Sequence, residues 1–145
     1  MLTDVARSLE AHGFTDIILV GDSGGNQAGM RNVADAMNAL WTDARAHYIP
    51  EFYEYAKAFE YMETELGIRE PVNDGLHDDF VISSIMLAHD PSTVRFQERV
   101  RAGRATINGL SLEPLEEVQE IGRKLLAFRV DHAVKAIRAS LAEAR

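Results

Sequence analysis

The sequence predicts an α/β fold built on a parallel sheet, and three observations carry that prediction. Ile17, Ile18, Leu19 and Val20 form an unbroken apolar run rich in β-branched residues, the pattern of a strand buried on both faces. The run empties into Gly21-Asp22-Ser23-Gly24-Gly25-Asn26, a glycine-rich turn. A helical repeat follows at once through Met30, Val33, Ala34, Met37, Leu40 and Trp41. In such a layer, ligands bind where a strand ends and a helix begins, because unpaired backbone N–H groups point outward there. The loop 21–26 is therefore the first candidate site.

Composition narrows the classes of function. With 145 residues, 46% of them apolar, the chain is long enough for one domain with a real core, and a single domain over residues 1–145 is expected. The formal net charge of −8 opposes nonspecific binding to nucleic acid or to an anionic membrane, so neither is an expected partner. Without cysteine the chain has no disulfide, no thiolate metal ligand and no cysteine nucleophile. No apolar run approaches the roughly 20 residues that cross a bilayer. The first residues lack the basic and apolar regions of a secretory leader, which leaves the cytoplasm as the default location.

The remaining elements follow in order. Leu2, Val5, Leu9 and His12 share one helical face that Gly13 ends, giving a helix that delivers the chain to the first strand. After the second helix, residues 46–50 read as a weaker strand closed by Pro50. Phe52, Tyr55, Phe59, Met62 and Leu66 make an aromatic and apolar stripe at helical spacing, which reads as core, with Gly67 as its stop. Pro71, Asn73, Asp74 and Gly75 mark a loop running to Leu76-His77-Asp78-Asp79. Residues 80–88 are then helical, capped by Asp78 or Asp79 and closed by Asp90-Pro91. A short helix over 94–102, a turn at Ile107-Asn108-Gly109 and a long helix over 114–142 complete the chain. Five or six helices thus surround only two strands, too few to bury them or close the sheet edges. Either another chain contributes strands, or these residues are the rear part of a larger domain.

The string Gly21-Asp22-Ser23-Gly24-Gly25 admits three readings. It is the environment of the nucleophile in trypsin-like proteases, but only His12 precedes the serine and helices follow it, against the all-β order of those enzymes. It also resembles the Gly-Asp-Ser esterases, in which Gly-Asp-Ser follows a first buried strand and an Asp-x-x-His pair lies elsewhere. Asp74-Gly75-Leu76-His77 has that spelling. Ser23 would be the nucleophile, His77 its base, Asp74 the group orienting the imidazole, and loop N–H groups would hold the oxyanion. In those esterases the pair lies near the domain's end, whereas here nearly half the chain follows it.

The third reading covers the most residues. Gly13-Phe14-x-x-Ile17-Ile18-Leu19-Val20-Gly21-Asp22-Ser23-Gly24-Gly25-Asn26 resembles the strand and loop of the creatininase family, where a strand runs into Asn-Gly-His-Gly-Gly-Asn or a close variant. The segment 75–88, with His77 before an apolar helix, resembles the family's second signature, and Asp90-Pro91-Ser92-Thr93-Val94 its continuation. The resemblance implies a three-layer α/β/α domain with a parallel central sheet whose front half is missing here. It further implies hydrolysis of a C–N bond in a small amide, cyclic members included, by metal-activated water. The family's two divalent ions, zinc or manganese, are held largely by the front half, together with a loop histidine where this chain has Ser23. Further carboxylate ligands of the family correspond to Gly25 or Ile82, so the resemblance carries no metal ligand onto this chain. Zinc or manganese is expected only if an absent front half supplies the ligands.

The family's catalytic histidine is matched by His77, and an aromatic residue lining its pocket by Tyr53. The expected site is therefore His77 and Ser23 as chemical groups, with Tyr53, Gly24, Gly25 and Asn26 binding a small amide-like ligand. Three outcomes stay open: a diverged amidohydrolase without its metal site, a metal-independent serine hydrolase using Ser23 and His77, and a non-catalytic binding or assembly protein. The expected assembly is a homo-oligomer or a pairing with a chain that supplies the missing strands. Asp78 and Asp79 read as helix-start carboxylates. His12, His47, His89 and His132 have no partner at useful spacing, and Arg95, Arg99, Arg101 and Arg104 read as a solvated basic run that could also meet an acidic partner.

Overall fold

The computed structural model describes residues 1–72 and 78–143. These form a mixed helix and strand structure of the α/β class, divided into two compact units. One comprises residues 1–54 and 130–145, the other residues 55–129.

In the first unit, helix α1 (Leu2–Ala11) leads through Gly13, at φ 87°, into strand β1 (Asp16–Leu19). Helix α2 (Gly24–Asn38) then returns the chain to strand β2 (Arg45–Tyr48). The strands pair in parallel with Ile17 opposite Ala46 and Leu19 opposite Tyr48. Because side chains alternate along a strand, those residues share one face. That face packs on Ala6 of α1 and on Met30, Ala34 and Met37 of α2, forming one apolar core.

Two expectations are corrected here. Strand β1 is not buried on both faces: Ile17 and Leu19 are, but Ile18 is 39% and Val20 41% exposed. The helices α1 and α2 cover one face, while the other meets the second segment of this unit at His47, whose ring bonds Ser140. Likewise the apolar face expected on α1 is only partly used. Ala6 is its buried residue, while Leu2 and Val5 stay exposed.

The outer edge of β2 is closed by a side chain. Asn38 Nδ2 donates to the Ala46 carbonyl and Asn38 Oδ1 accepts from the Ala46 N–H, both at 2.8 Å. The amide therefore does what a third strand would do, and it satisfies backbone groups of a residue that is buried. On the inner edge, Arg45 N–H donates to Thr15 and Ile49 N–H to Leu19. Residues 16, 18 and 20 thus turn their backbone groups away from β2. Among the described residues β1 has no second strand partner.

The second unit is helical apart from one hairpin. Helix α3 (Tyr55–Thr64), helix α4 (Phe80–His89), helix α5 (Phe96–Arg101) and the first half of helix α6 (Leu115–Glu143) pack around Met62, Phe80, Val81, Leu87, Leu112 and Leu125. Of the two caps expected for α4, Asp79 is the one used: its Oδ1 accepts from Ile82 N–H at 2.7 Å. Glu70 assists by accepting from Phe80 N–H and from Asn108 Nδ2, each at 2.9 Å. The turn at 107–109 joins two short strands, β3 (Thr106–Ile107) and β4 (Leu110–Ser111), in an antiparallel hairpin. Asn108 and Gly109 both take positive φ, 48° and 87°, as a two-residue hairpin turn of the primed type requires.

Helices α4 and α6 touch backbone to backbone. A Cβ placed on Gly122 would lie 2.0 Å from the carbonyl oxygen of Ser84, which is itself fully buried. Gly122→Ala is therefore expected to cost about 3 kcal/mol, the upper range for overpacking a core. The same change at Gly29 of α2, where a Cβ meets nothing within 4 Å, is expected to stabilise by up to about 1 kcal/mol through helix propensity alone. Denaturant unfolding of the two variants checks both signs.

Candidate functional site

The loop between β1 and α2 stands at the carboxyl end of a parallel strand, where the fold leaves backbone N–H groups free. Ser23 is the residue before the helix, in an extended conformation (φ −147°, ψ 132°), which ends the strand direction and starts the helical one. Its hydroxyl makes no capping bond to the first turn, and among the described residues no group hydrogen-bonds it. Ser23, Gly24, Gly25 and Asn26 are all exposed.

Two residues hold this loop in shape. Gln27 Nε2 donates to the carbonyl oxygens of Gly21 (2.9 Å) and Ser23 (2.8 Å), so one side-chain amide fixes both ends of the turn. Its Oε1 in turn accepts from the Tyr48 hydroxyl at 3.0 Å, tying the loop to the end of β2. The guanidinium of Arg31 stands 5.4 Å from the Tyr48 ring centre, within cation–π range. Tyr53, which closes the 3-10 turn Pro50–Phe52, approaches from another direction. A Cβ on Gly24 would lie 2.9 Å from its hydroxyl oxygen, so only glycine allows this contact undisturbed.

Of the residues expected at the site, the structure thus brings Ser23, Gly24, Gly25, Asn26 and Tyr53 into one neighbourhood. His77 and Asp74 lie outside the described residues, so the Ser23 and His77 pairing has no geometry here. Gln27 and Tyr48 were missed by the sequence reading. A glutamine four residues after a serine at a helix start is a faint signal, and nothing in the sequence couples it to a tyrosine 21 positions on.

Three of the four histidines without a partner at useful spacing in the sequence, His12, His47 and His132, have one in the structure. His47 is 2% exposed and lies between Asp16 Oδ1 (3.1 Å from Nε2) and Ser140 Oγ (2.8 Å from Nδ1). A carboxylate only accepts, so Nε2 carries a proton toward Asp16, and in the neutral ring Nδ1 accepts from the serine hydroxyl. The order Ser, His, Asp is that of a hydrolase triad, but the setting is not. Ser140 lies inside α6, where backbone N–H groups are committed to the helical ladder and cannot hold an oxyanion, and the ring is closed to solvent. His132 pairs with Glu54 at 2.9 Å, and His12 bonds the carbonyl oxygen of Ser8 at the end of α1.

For a metal, the described residues of the loop supply no fitting donor set. Among the described residues no group of three His, Asp or Glu side chains converges, and the loop offers a serine hydroxyl, a poor ligand for zinc. One carboxyl at an exposed turn has its pKa lowered: Asp90, whose oxygens accept from the Ser92 hydroxyl and then from the Ser92 N–H. Those bonds account for Asp90 as the cap of the 3-10 turn Pro91–Val94.

Gln27→Ala removes both donor bonds of the loop and the acceptor for Tyr48, and is expected to cost about 1–2 kcal/mol, with amide exchange at residues 21–26 accelerating. Exchange within β2 should stay unchanged, which separates a loosened loop from general unfolding.

Comparison with known proteins gives one match. The family model named creatininase, described as creatinine amidohydrolase, matches residues 1–137. No curated protein and no solved structure matches the chain. With nearly the whole length covered by that match, and with strand, glycine-rich loop and helix arranged as found, the chain belongs to the creatininase family.

Proposed function

We propose that this chain is a diverged amidohydrolase-family protein that holds a small amide-like ligand, cyclic amides included, at the loop 21–26 without metal-dependent turnover. The observation that supports the reading most is the contact of the Tyr53 hydroxyl with Gly24, beside a Ser23 hydroxyl that no capping bond occupies. Together they place one aromatic hydroxyl and one aliphatic hydroxyl near the N–H groups of Gly24 and Gly25, which begin α2. Such groups match an amide's carbonyl oxygen and N–H better than they match a metal ion. Family membership supports the class of ligand, and the exchange of the loop histidine for Ser23 supports the loss of the metal step.

The same reading extends to the sheet. The family's three-layer domain needs more strands than the two here, and β1 offers the edge on which they would add, with Ile18 and Val20 half exposed beside it. In this proposal a second copy, or a chain carrying the front half, supplies them. A metal-independent use of Ser23 with His77 as base is the second reading, because Ser23 is exposed and its hydroxyl makes no capping bond.

The expected outcome with creatinine as probe is a saturable rise in melting temperature that Tyr53→Ala abolishes. Metal analysis should find less than one tightly held ion per chain, and added zinc or manganese should give no amidase activity. A tightly held ion with rescued amidase activity overturns the reading in favour of a metal enzyme. Labelling of Ser23 by a fluorophosphonate, lost in His77→Ala, overturns it in favour of the serine hydrolase.

A further inference from the structure

We propose that an open depression on the second unit, lined by Arg95, Glu98, Arg99, Ala102 and Arg104, binds a small phosphate-bearing molecule. It holds about 370 Å³, and of its lining residues Arg99 alone is half-buried while the others are exposed. Its lining carries three arginines and one glutamate, a local charge of about +2, which matches a phosphate monoester near neutral pH. This stands against a chain with 23 acidic and 15 basic residues. The three arginines of the lining differ in how they are engaged.

Arg95 is engaged: its Nε donates to Glu98 Oε2 at 2.6 Å. Arg99 and Arg104 form no ion pair among the described residues, although Arg99 is half-buried. The Nε of Arg99 donates to the Val94 carbonyl at 2.9 Å, which spends one donor on the backbone and fixes the plane of the guanidinium. Its terminal nitrogens are left as a preset fork, the geometry that binds two phosphate oxygens at once. The Arg104 N–H bonds the Arg99 carbonyl at 2.8 Å, so the two residues are also linked through the backbone. Arg95 meanwhile takes a left-handed backbone (φ 53°, ψ 42°) between the 3-10 turn and α5, a conformation that non-glycine residues rarely keep. A depression that includes a half-buried guanidinium, oriented by the backbone and without an ion pair among the described residues, is suited to an oxyanion. Planar guanidinium forks and a net charge of two favour phosphate over a single carboxylate. The inference rests on nothing in the loop reading.

The test titrates the intact chain at constant ionic strength with inorganic phosphate and with glycerol 3-phosphate, reading phosphorus NMR line width and melting temperature. Saturable broadening and stabilisation are expected, tighter with the ester if the volume beyond the oxyanion is filled. Arg104→Gln should weaken binding about tenfold or more, the size of one charge-assisted hydrogen bond. Arg99→Gln should do the same. Should it unfold the turn by losing the Val94 bond, Arg104→Gln alone still decides. Arg123→Gln, on α6 and paired with Glu120 instead, should bind as the parent does. Equal binding by the parent and Arg104→Gln overturns the proposal. So does a response to sodium chloride as large as that to phosphate, or a response to a polyglutamate peptide alone.

Discussion

A parallel pair of four-residue strands can persist only if the backbone groups on its outer edges are accounted for. The rest of the first unit is arranged around that requirement. On the β2 side, the amide of Asn38 takes both the N–H and the carbonyl of Ala46. Asparagine can do this because its side chain repeats the donor and acceptor of a peptide group. The cost of leaving such groups unpaired in a buried residue is about 1–3 kcal/mol each, more than the packing of an alanine could offset. Asn38 is also the last residue of α2, so the same side chain fixes where the helix stops relative to the strand that follows. On the β1 side no such closure exists among the described residues, and the half-exposed Ile18 and Val20 lie on that strand and just past its end.

The loop inherits its geometry from this pair. With β1 and β2 in register, Tyr48 stands opposite Leu19 and its hydroxyl reaches Gln27 on the first turns of α2. Gln27 then fixes the carbonyls of Gly21 and Ser23, which leaves the N–H side of the turn facing outward. The exposed glycines are therefore not slack chain. They are held from beneath by one amide and approached by Tyr53, whose position requires that residue 24 have no Cβ.

How much of this was legible depends on the range of the interaction. Periodicity found the long helices, and the Asn108-Gly109 pair announced its turn, because each of those signals is local. The two-residue strands beside that turn were too short to carry a period. Burial of β1 on both faces was expected from four apolar residues in a row, yet a run cannot report how much of the second face other segments cover. The closure of β2 by Asn38, the link of Gln27 to Tyr48 and the lodging of His47 between Asp16 and Ser140 join positions 8 to 93 residues apart. Each is set by tertiary placement alone. The family likeness was legible because each of its motifs lies in a contiguous stretch, 13–26, 75–88 and 90–94.

The buried chain of Asp16, His47 and Ser140 shows why such order should be read by setting as well as by identity. A nucleophile needs an approach path and donors placed for the charge that develops, and a helix interior offers neither. What the arrangement does supply is a fixed partner for every polar atom of a ring that the fold has taken out of water. Neutral imidazole satisfied on both nitrogens can be buried at small cost, whereas one left unpaired cannot. His47 pairs with Ile18 across the strands, on the face opposite the α1 and α2 core. Its bond to Ser140 therefore commits the last turns of α6 to that face of the first unit. The serine in the exposed loop is in the reverse situation: it is accessible, and among the described residues no group hydrogen-bonds its hydroxyl. A serine locked inside a helix against a buried ring has no such access to solvent or to a ligand.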